Sequence, residues 1–384
     1  MTASAQHEIV IIGGGPVGGA LALALAQSGR RSLLIDAGSA AADDDPRSLA
    51  LSAGSRLILE RIGVWPALVA ATPIRTIHVS HRGAFGRAVL TAAEAGVPAL
   101  GYVVSYAPLQ RALAQALRAE PAVTLVDGAH ATHVQAGPDW AEIELAAPRH
   151  SVQAKLAVIA DGGAALVAPA DVEIRDYRQS ALIANVAASR PQDGTAFERF
   201  TPEGPLALLP RDHGYALIWT LEPEHAQQLI AASDQEFIQR LQHAFGNRAG
   251  TFVSASSRAL FPLRLRVARR VAHARCVLVG NAAQTLHPVA GQGLNLGLRD
   301  AWELARLIHA SDGDPGRPEI VDAYARARCG DRRSGVALTD TLVRVFSNDI
   351  APLRWLRGCG LTFLDCLPPA KRAFMRRTMF GRSS

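Results

Sequence analysis

The residues with most chemical content lie between Val277 and Asp300. A β-branched run at 277–279 ends at Gly280-Asn281, and a His287-Pro288 corner follows. Gly291, Gly293 and Gly297 then lead into a helical pattern from about Leu294. A strand, a polar turn and a glycine-opened helix start place several free backbone N–H groups around one point, where the helix dipole adds about half a positive charge. Such a site, edged by Gly291, Gly293, Leu294 and Asn295, suits a flat anion such as a reduced flavin ring.

A second set of residues stands near the N-terminus. Ile9-Val-Ile-Ile12 reads as a buried parallel strand running into Gly13-Gly-Gly15-Pro-Val-Gly18 and a helical pattern at 20–27, and Ser32-Leu-Leu-Ile-Asp36 reads as the next strand. This is the dinucleotide fingerprint in its required context. Gly13 makes the tight turn, Gly15 admits a pyrophosphate against bare backbone beside Pro16 and Val17, and Gly18 lets helix and strand pack closely. Asp36 is placed to accept hydrogen bonds from ribose hydroxyls. Residues 9–29 carry no charge and are long enough to span a bilayer, but six glycines and a proline within them favour strand, loop and helix. No basic segment followed by a small-residue cleavage site marks a signal peptide.

These groups meet on one ligand only if the chain leaves the first domain and returns to it. Strands and helices alternate over the first 160 residues, and the apolar strand at 152–159 closes on Asp161-Gly162-Gly163. From 177 to 220 the texture becomes strand-rich (Ala181–Val186, Leu206–Pro210, Tyr215–Thr220) and reads as an antiparallel sheet covering one side of the cofactor domain. A helical piece follows at 226–244, the chain returns at 275–300, and from Trp302 the pattern is helical almost to the end. The acidic Asp43-Asp-Asp-Pro46 reads as a solvated turn. The expected fold is therefore α/β: a discontinuous Rossmann-like dinucleotide-binding domain (1–75, 100–170, 270–340), an inserted antiparallel-sheet domain (76–99, 171–269) and a helical C-terminal region (341–384).

Composition excludes several classes. Four cysteines lack any CxxC spacing, which argues against a disulfide-exchanging flavoprotein, a structural zinc site or a secreted framework, and points to the cytoplasm. Of forty basic residues only Lys155 and Lys371 are lysines, and the arginines form no basic–aromatic run, so no nucleic-acid partner is expected. No Ser/His/Asp set or HExxH motif offers a nucleophile or a metal site.

The order of residues from 277 to 300 resembles the flavin-contacting segment of the aromatic monooxygenases, most closely the ubiquinone-biosynthesis hydroxylases. Most of the chain shares in this: Pro46-Arg-Ser-Leu-Ala-Leu-Ser52, Tyr177-Arg-Gln-Ser-Ala-Leu-Ile183, the run from Phe197 to Leu206, Phe261-Pro-Leu263 and Thr339-Asp-Thr-Leu-Val343. Gly280-Asn281 and His287-Pro288 look most like the members that hydroxylate 2-polyprenyl-6-methoxyphenol. The resemblance implies flavin-side roles for Arg47 and Asp161. It departs from the pattern at two places. Asn281 replaces an aspartate, keeping a hydrogen bond without its charge, and Gly163-Ala-Ala-Leu166 stands where a serine and an arginine are usual. Arg111, in Leu109-Gln-Arg111, is read either as a flavin contact or as a solvated helix face. His287 is either a general base or a satisfied structural histidine, and Pro288 shapes the wall beside the flavin.

What the family implies is NAD(P)H-driven reduction of FAD, addition of O2 to give a flavin hydroperoxide, and oxygen transfer to an electron-rich phenol, here a polyprenylated methoxyphenol of ubiquinone synthesis. The alternatives are hydroxylation at another ring position, a non-oxygenating flavin reductase of the same fold, and a flavin-bound scaffold in a ubiquinone-synthesis complex. The tail also has two readings. From 351 to 384 seven basic residues stand against one acid, interleaved with Trp355, Phe363, Phe374 and other apolar residues. They form either an amphipathic segment on the anionic inner face of the cytoplasmic membrane or a helix pair packed onto the core.

Overall fold

A computed structural model describes residues 5–38, 45–146, 150–162, 166, 171–346 and 351–381. Part of the acidic turn (43–44), Gly163-Ala-Ala165 and Arg382 therefore lie outside the described residues. The helices are, in chain order, α1 (Pro16–Ala26), α2 (Ala53–Arg61), α3 (Ala92–Ala95), α4 (Tyr106–Ala119), α5 (Pro223–Ala231), α6 (Asp234–Phe245), α7 (Gln292–His309), α8 (Pro318–Phe346), α9 (Ala351–Cys366) and α10 (Pro368–Phe380).

The first sheet is a parallel core in the order Cys276–Leu278, His150–Ile159, Ala5–Ile12, Ser32–Asp36, Val123–Asp127, with antiparallel additions at its edge. The inner stretches of its central strands are apolar because helices cover them; Ile9, Val10, Ile11 and Leu34 are wholly buried. The register pairs Ile12 with both Ile35 and Ile159, so the ends of these strands are level. Gly13, Asp36, Asp161 and Gly280-Asn281 therefore emerge at one sheet edge from segments far apart in the chain. Close approach of α1 and α7 demands small residues. A Cβ on Gly297 of α7 would lie 2.7 Å from Val17 of α1; where the glycine turn enters α1, one on Gly18 would lie 1.9 Å from the Gly13 carbonyl oxygen.

The second sheet has eight strands and is antiparallel apart from one parallel pair, Thr195–Thr201 with Thr76–His81. Residues 76–91 join those at 172–268 and the short strand Gln284–Thr285 in this one sheet, with α5 and α6 packed on its far face. A three-stranded sheet (Ser48–Ser52, Gly101–Ser105, Thr72–Ile74) bridges the two layers.

Three readings are corrected. The helical piece at 226–244 is two helices, because Ser233 caps α6 by accepting from the Glu236 N–H at 3.2 Å. The helical run after Trp302 is interrupted between α7 and α8, where Gly313, Pro315 and Gly316 stand. The third is one of continuity: α8 crosses residue 340 unbroken, so the helical pattern does not restart at 341.

Candidate active site

A cavity of about 630 Å³ opens at the shared edge of the parallel sheet. Gly13, Gly15, Pro16, Val17, Asp36 and Arg47 line one side. Asp161, Asn281, Pro288, Gly291, Gly293 and Leu294 line another, so most of the residues singled out in the sequence converge. The second sheet closes the remaining side with Ala196, Glu198 and Thr220, among others.

Local geometry fits a dinucleotide. Gly13 has a φ of +108°, and a Cβ there would lie 2.5 Å from the Ala160 carbonyl oxygen, so the turn requires glycine. A Cβ on Gly15 would meet no protein atom within 4 Å; this glycine's bareness serves the cavity and not the packing. Gly293 is the same case at the opposite wall. Just before it, Ala290 and Gly291 both adopt left-handed backbone, with φ of 60° and 59°. Left-handed backbone in such a turn can aim successive N–H groups at one point, which is an anion-binding arrangement, and a strained alanine there marks a functional turn. Ala290 carried no signal in the sequence.

Arg47 leans over the Tyr106 ring at 4.4 Å and is held by Asp45 through paired bonds of 2.9 and 2.6 Å. Its guanidinium is thereby aimed along the cavity wall. Behind the Gly280-Asn281 turn, the wholly buried Asp300 accepts from the Gly280 N–H at 3.1 Å, from Gln284 at 2.8 Å and from Arg328 at 2.6 Å. This buried network positions the turn, and the spacing of its members gave no sequence cue.

Three expected site residues lie outside the lining of this cavity, though Asn295 lines the chamber that adjoins it. Asn295 spends its side chain on structure: Oδ1 accepts from the Ser52 N–H at 2.7 Å, and Nδ2 donates to the Ala50 and Gly291 carbonyls. It clamps α7 to the strand Ser48–Ser52. Arg111 is exposed on α4 outside the cavity lining, while its neighbour Gln110 donates to the Gly14 carbonyl at 2.8 Å. His287 is buried outside both cavity linings, with its Nδ1 accepting from the Val289 N–H at 3.1 Å and its ring edge-on to Tyr177. Burial pushes its pKa down to about 4. Nδ1 is engaged, whereas Nε2 is buried without a hydrogen-bond partner among the described residues.

The cavity continues into a second chamber of about 600 Å³. Ala50, Ile74, Ile77, Glu198, Val289 and Ala290 line both. The chamber runs beneath α9 and α10, which contribute Leu361, Leu364, Phe374, Met375 and Met379 to its wall. Among the described residues Glu198 and Arg357 are its only charged lining groups. The tail thus belongs in part to the core. Met375 and Met379 are buried, and Lys371 reaches Glu94 at 2.8 Å and Asp365 at 3.2 Å. Burial alone would lower the Lys371 pKa, but the two carboxylates overcome it and hold the ammonium charged. The outer face of α9 is different. Trp355, Leu356, Phe363 and Leu367 are exposed, and Trp355 meets the exposed Phe85 edge-on. No helix among the described residues is long and apolar enough to cross a membrane.

Comparison with known proteins accords with this geometry. The family model described as "FAD binding domain" matches residues 6–334. The chain is 36% identical to ubiquinone hydroxylase UbiL of Rhodospirillum rubrum, over 97% of this chain and 89% of that protein. It is also 36% identical to the 3-demethoxyubiquinol 3-hydroxylase of Escherichia coli, over 96% and 97% of the two chains. Among solved structures, p-nitrophenol 4-monooxygenase PnpA of Pseudomonas putida superposes with a TM-score of 0.80 at 18% identity, covering 99% of this chain and 100% of that one, which speaks to the fold. By its sequence, its fold and the dinucleotide cavity at the sheet edge, the chain belongs to the FAD-dependent monooxygenases of the ubiquinone-hydroxylase family.

Proposed function

We propose that the protein hydroxylates a polyprenylated phenol or quinol of ubiquinone biosynthesis, using FAD, NAD(P)H and O2. The observation that carries this reading is the junction of the two cavities: a dinucleotide site opens directly into an apolar chamber large enough for more than a ring. When bound and reduced by NAD(P)H, FAD supplies the means of activating O2 for transfer to the ring. The chain's own residues bind, orient and exclude water. Gly13, Gly15, Pro16 and Val17 cradle the pyrophosphate, Asp36 takes the ribose, and Asp161, Asn281 and Arg47 flank the remainder. The N–H groups at Gly291, Gly293 and Leu294 face the negative charge of the reduced ring. Pro288 and Val289 wall the ring's neighbourhood, and the apolar lining keeps water from the reactive oxygen.

The chamber under α9 and α10 takes the isoprenoid chain, and the exposed face of α9 rests on the cytoplasmic membrane from which that chain enters. Two ring positions are in contention. The segment at 280–288 favours a 2-polyprenyl-6-methoxyphenol, whereas one relative is named for a 3-demethoxyubiquinol. The test is turnover of the FAD-loaded protein with farnesylated and unprenylated methoxyphenols, with product position read by mass spectrometry. We expect O2 consumption coupled to a hydroxylated product, and a KM at least tenfold lower for the farnesylated ring. Reduction of the prenyl chain without O2, or no turnover with every prenylated phenol or quinol, would replace this reading with the reductase or the scaffold.

A further inference from the structure

We propose that Glu198 is the acid–base residue of the reaction, taking the proton of the substrate's ring hydroxyl at the junction of the two cavities. The inference rests on the hydroxylase reading above and adds to it the residue that activates the ring. Glu198 lies on the strand Thr195–Thr201, paired in parallel with Thr76–His81. Strand alternation turns Ala196 and Glu198 toward the cavities together with their partners Ile77 and Val79, while Phe197 packs against Phe245 on the opposite face. Glu198 is thus one of the few residues lining both the flavin cavity and the apolar chamber, beside Val289 and Ala290.

Its surroundings set it apart from the other charged groups there. Asp45 holds Arg47, and Arg357 in the chamber stands 3.1 Å from the His81 Nε2. Asp36, Asp161 and Tyr106 lie on the far, dinucleotide side of the flavin cavity, where Arg47 also stands. None of these groups compensates Glu198: its Oε1 is buried without a hydrogen-bond partner among the described residues, and desolvation by itself pushes its pKa up to about 7. A carboxylate kept in an apolar wall without a cation costs stability. What it gains is a base poised near neutral pH, matched to proton transfer from a phenol.

The step balances simply. The phenol O–H bond breaks and an O–H bond forms on the Glu198 carboxylate. The electron pair stays on the phenolate oxygen and delocalises to the ring carbons ortho and para to it, which raises their reactivity toward the activated oxygen. The carboxylate must be ionised to accept the proton, so hydroxylation rises with pH through about 7 and falls below it.

The experiment compares wild type with Glu198→Gln and Glu198→Ala, each loaded with FAD and checked by its flavin spectrum. The probe is 2-farnesyl-6-methoxyphenol. Binding is followed by perturbation of the flavin spectrum without NAD(P)H, and turnover by product against NAD(P)H consumed from pH 6 to 9. For Glu198→Gln we expect probe binding within threefold of wild type, hydroxylation lowered about 100-fold or more, and loss of the acidic limb near pH 7. A difluorinated analogue, whose hydroxyl ionises more readily, should shrink the gap between wild type and Glu198→Gln below tenfold. An unchanged acidic limb, or an equal gap for both probes, would overturn the role of Glu198. The hydroxylase reading fails separately, if wild type yields no product. In that case a pH-dependent spectral response to the bound probe that vanishes in Glu198→Gln would sustain the proton-accepting role, and an unchanged response would end it.

Discussion

At the scale of single residues, two glycines of one motif do different work. Gly15 faces open cavity, whereas Gly18 abuts the Gly13 carbonyl oxygen. We therefore expect Gly15→Val to fold with near-normal thermal stability yet purify without FAD, because the added methyls occupy the space of the pyrophosphate. Gly18→Val should fail at the level of the fold, since a Cβ at 1.9 Å from backbone cannot be relieved by a rotamer change. Circular dichroism and the 450 nm flavin band on both variants separate the outcomes; full FAD occupancy in Gly15→Val would reassign the loop. Both glycines are plain in the sequence, and their difference is not, because it depends on what stands opposite each one.

At the scale of elements, α7 and α8 are tied to the Gly280-Asn281 turn by buried charge. Arg328 lies between Asp300 at 2.6 Å and Asp331 at 2.9 Å, and Asp331 also receives Arg299 at 2.9 Å. Burial alone would raise the Asp331 pKa, but Arg299 and Arg328 outweigh it and hold the carboxyl below its usual range. Its contribution is present above the ordinary carboxylate pKa of about 4 and is lost as pH falls through the lower folded value. Removing Asp300 leaves Arg328 buried with one partner fewer, so Asp300→Ala should destabilise by about 3–5 kcal/mol in urea unfolding. It should also weaken FAD binding, because the Gly280 N–H loses its acceptor. A loss below about 1 kcal/mol would show that the network is dispensable. The strand and the helix start were readable from their periods. The charge network joins residues 280, 300 and 328 through side chains whose pairing no period reports.

At the scale of the whole molecule, the C-terminal helices divide between core and surface. α10 turns Met375 and Met379 into the core, while α9 keeps Trp355 and Phe363 in solvent above the chamber. The proposed membrane contact requires an exposed apolar face beside the apolar chamber and cationic groups near it, and Arg372 and Arg376 are exposed on α10. In co-sedimentation with phosphatidylglycerol-containing vesicles, Trp355→Ser with Phe363→Ser should lower binding at least tenfold at any salt. Arg372→Glu with Arg376→Glu should remove only the salt-sensitive part. Absence of vesicle binding by wild type would leave α9 without this role.

The sequence by itself determined the fold class and the dinucleotide site. Strand, glycine turn, helix and acid follow one another within about thirty residues, and such local order dictates local geometry. It likewise determined that residues 277–300 return to that site, through a second strand–turn–helix of the same kind. Only the tertiary structure decided which members of those segments face the ligand. Asn295 and His287 carry the right chemistry in the right motif, yet the Asn295 amide is engaged by the chain itself and the His287 ring is buried outside both cavity linings. Only the tertiary structure, too, brought Glu198 to the junction of the two cavities. Its place depends on sheet register and on helices some 150 residues later in the chain, and burial, which changes a carboxyl's chemistry most, is a property of the neighbours a residue acquires by folding.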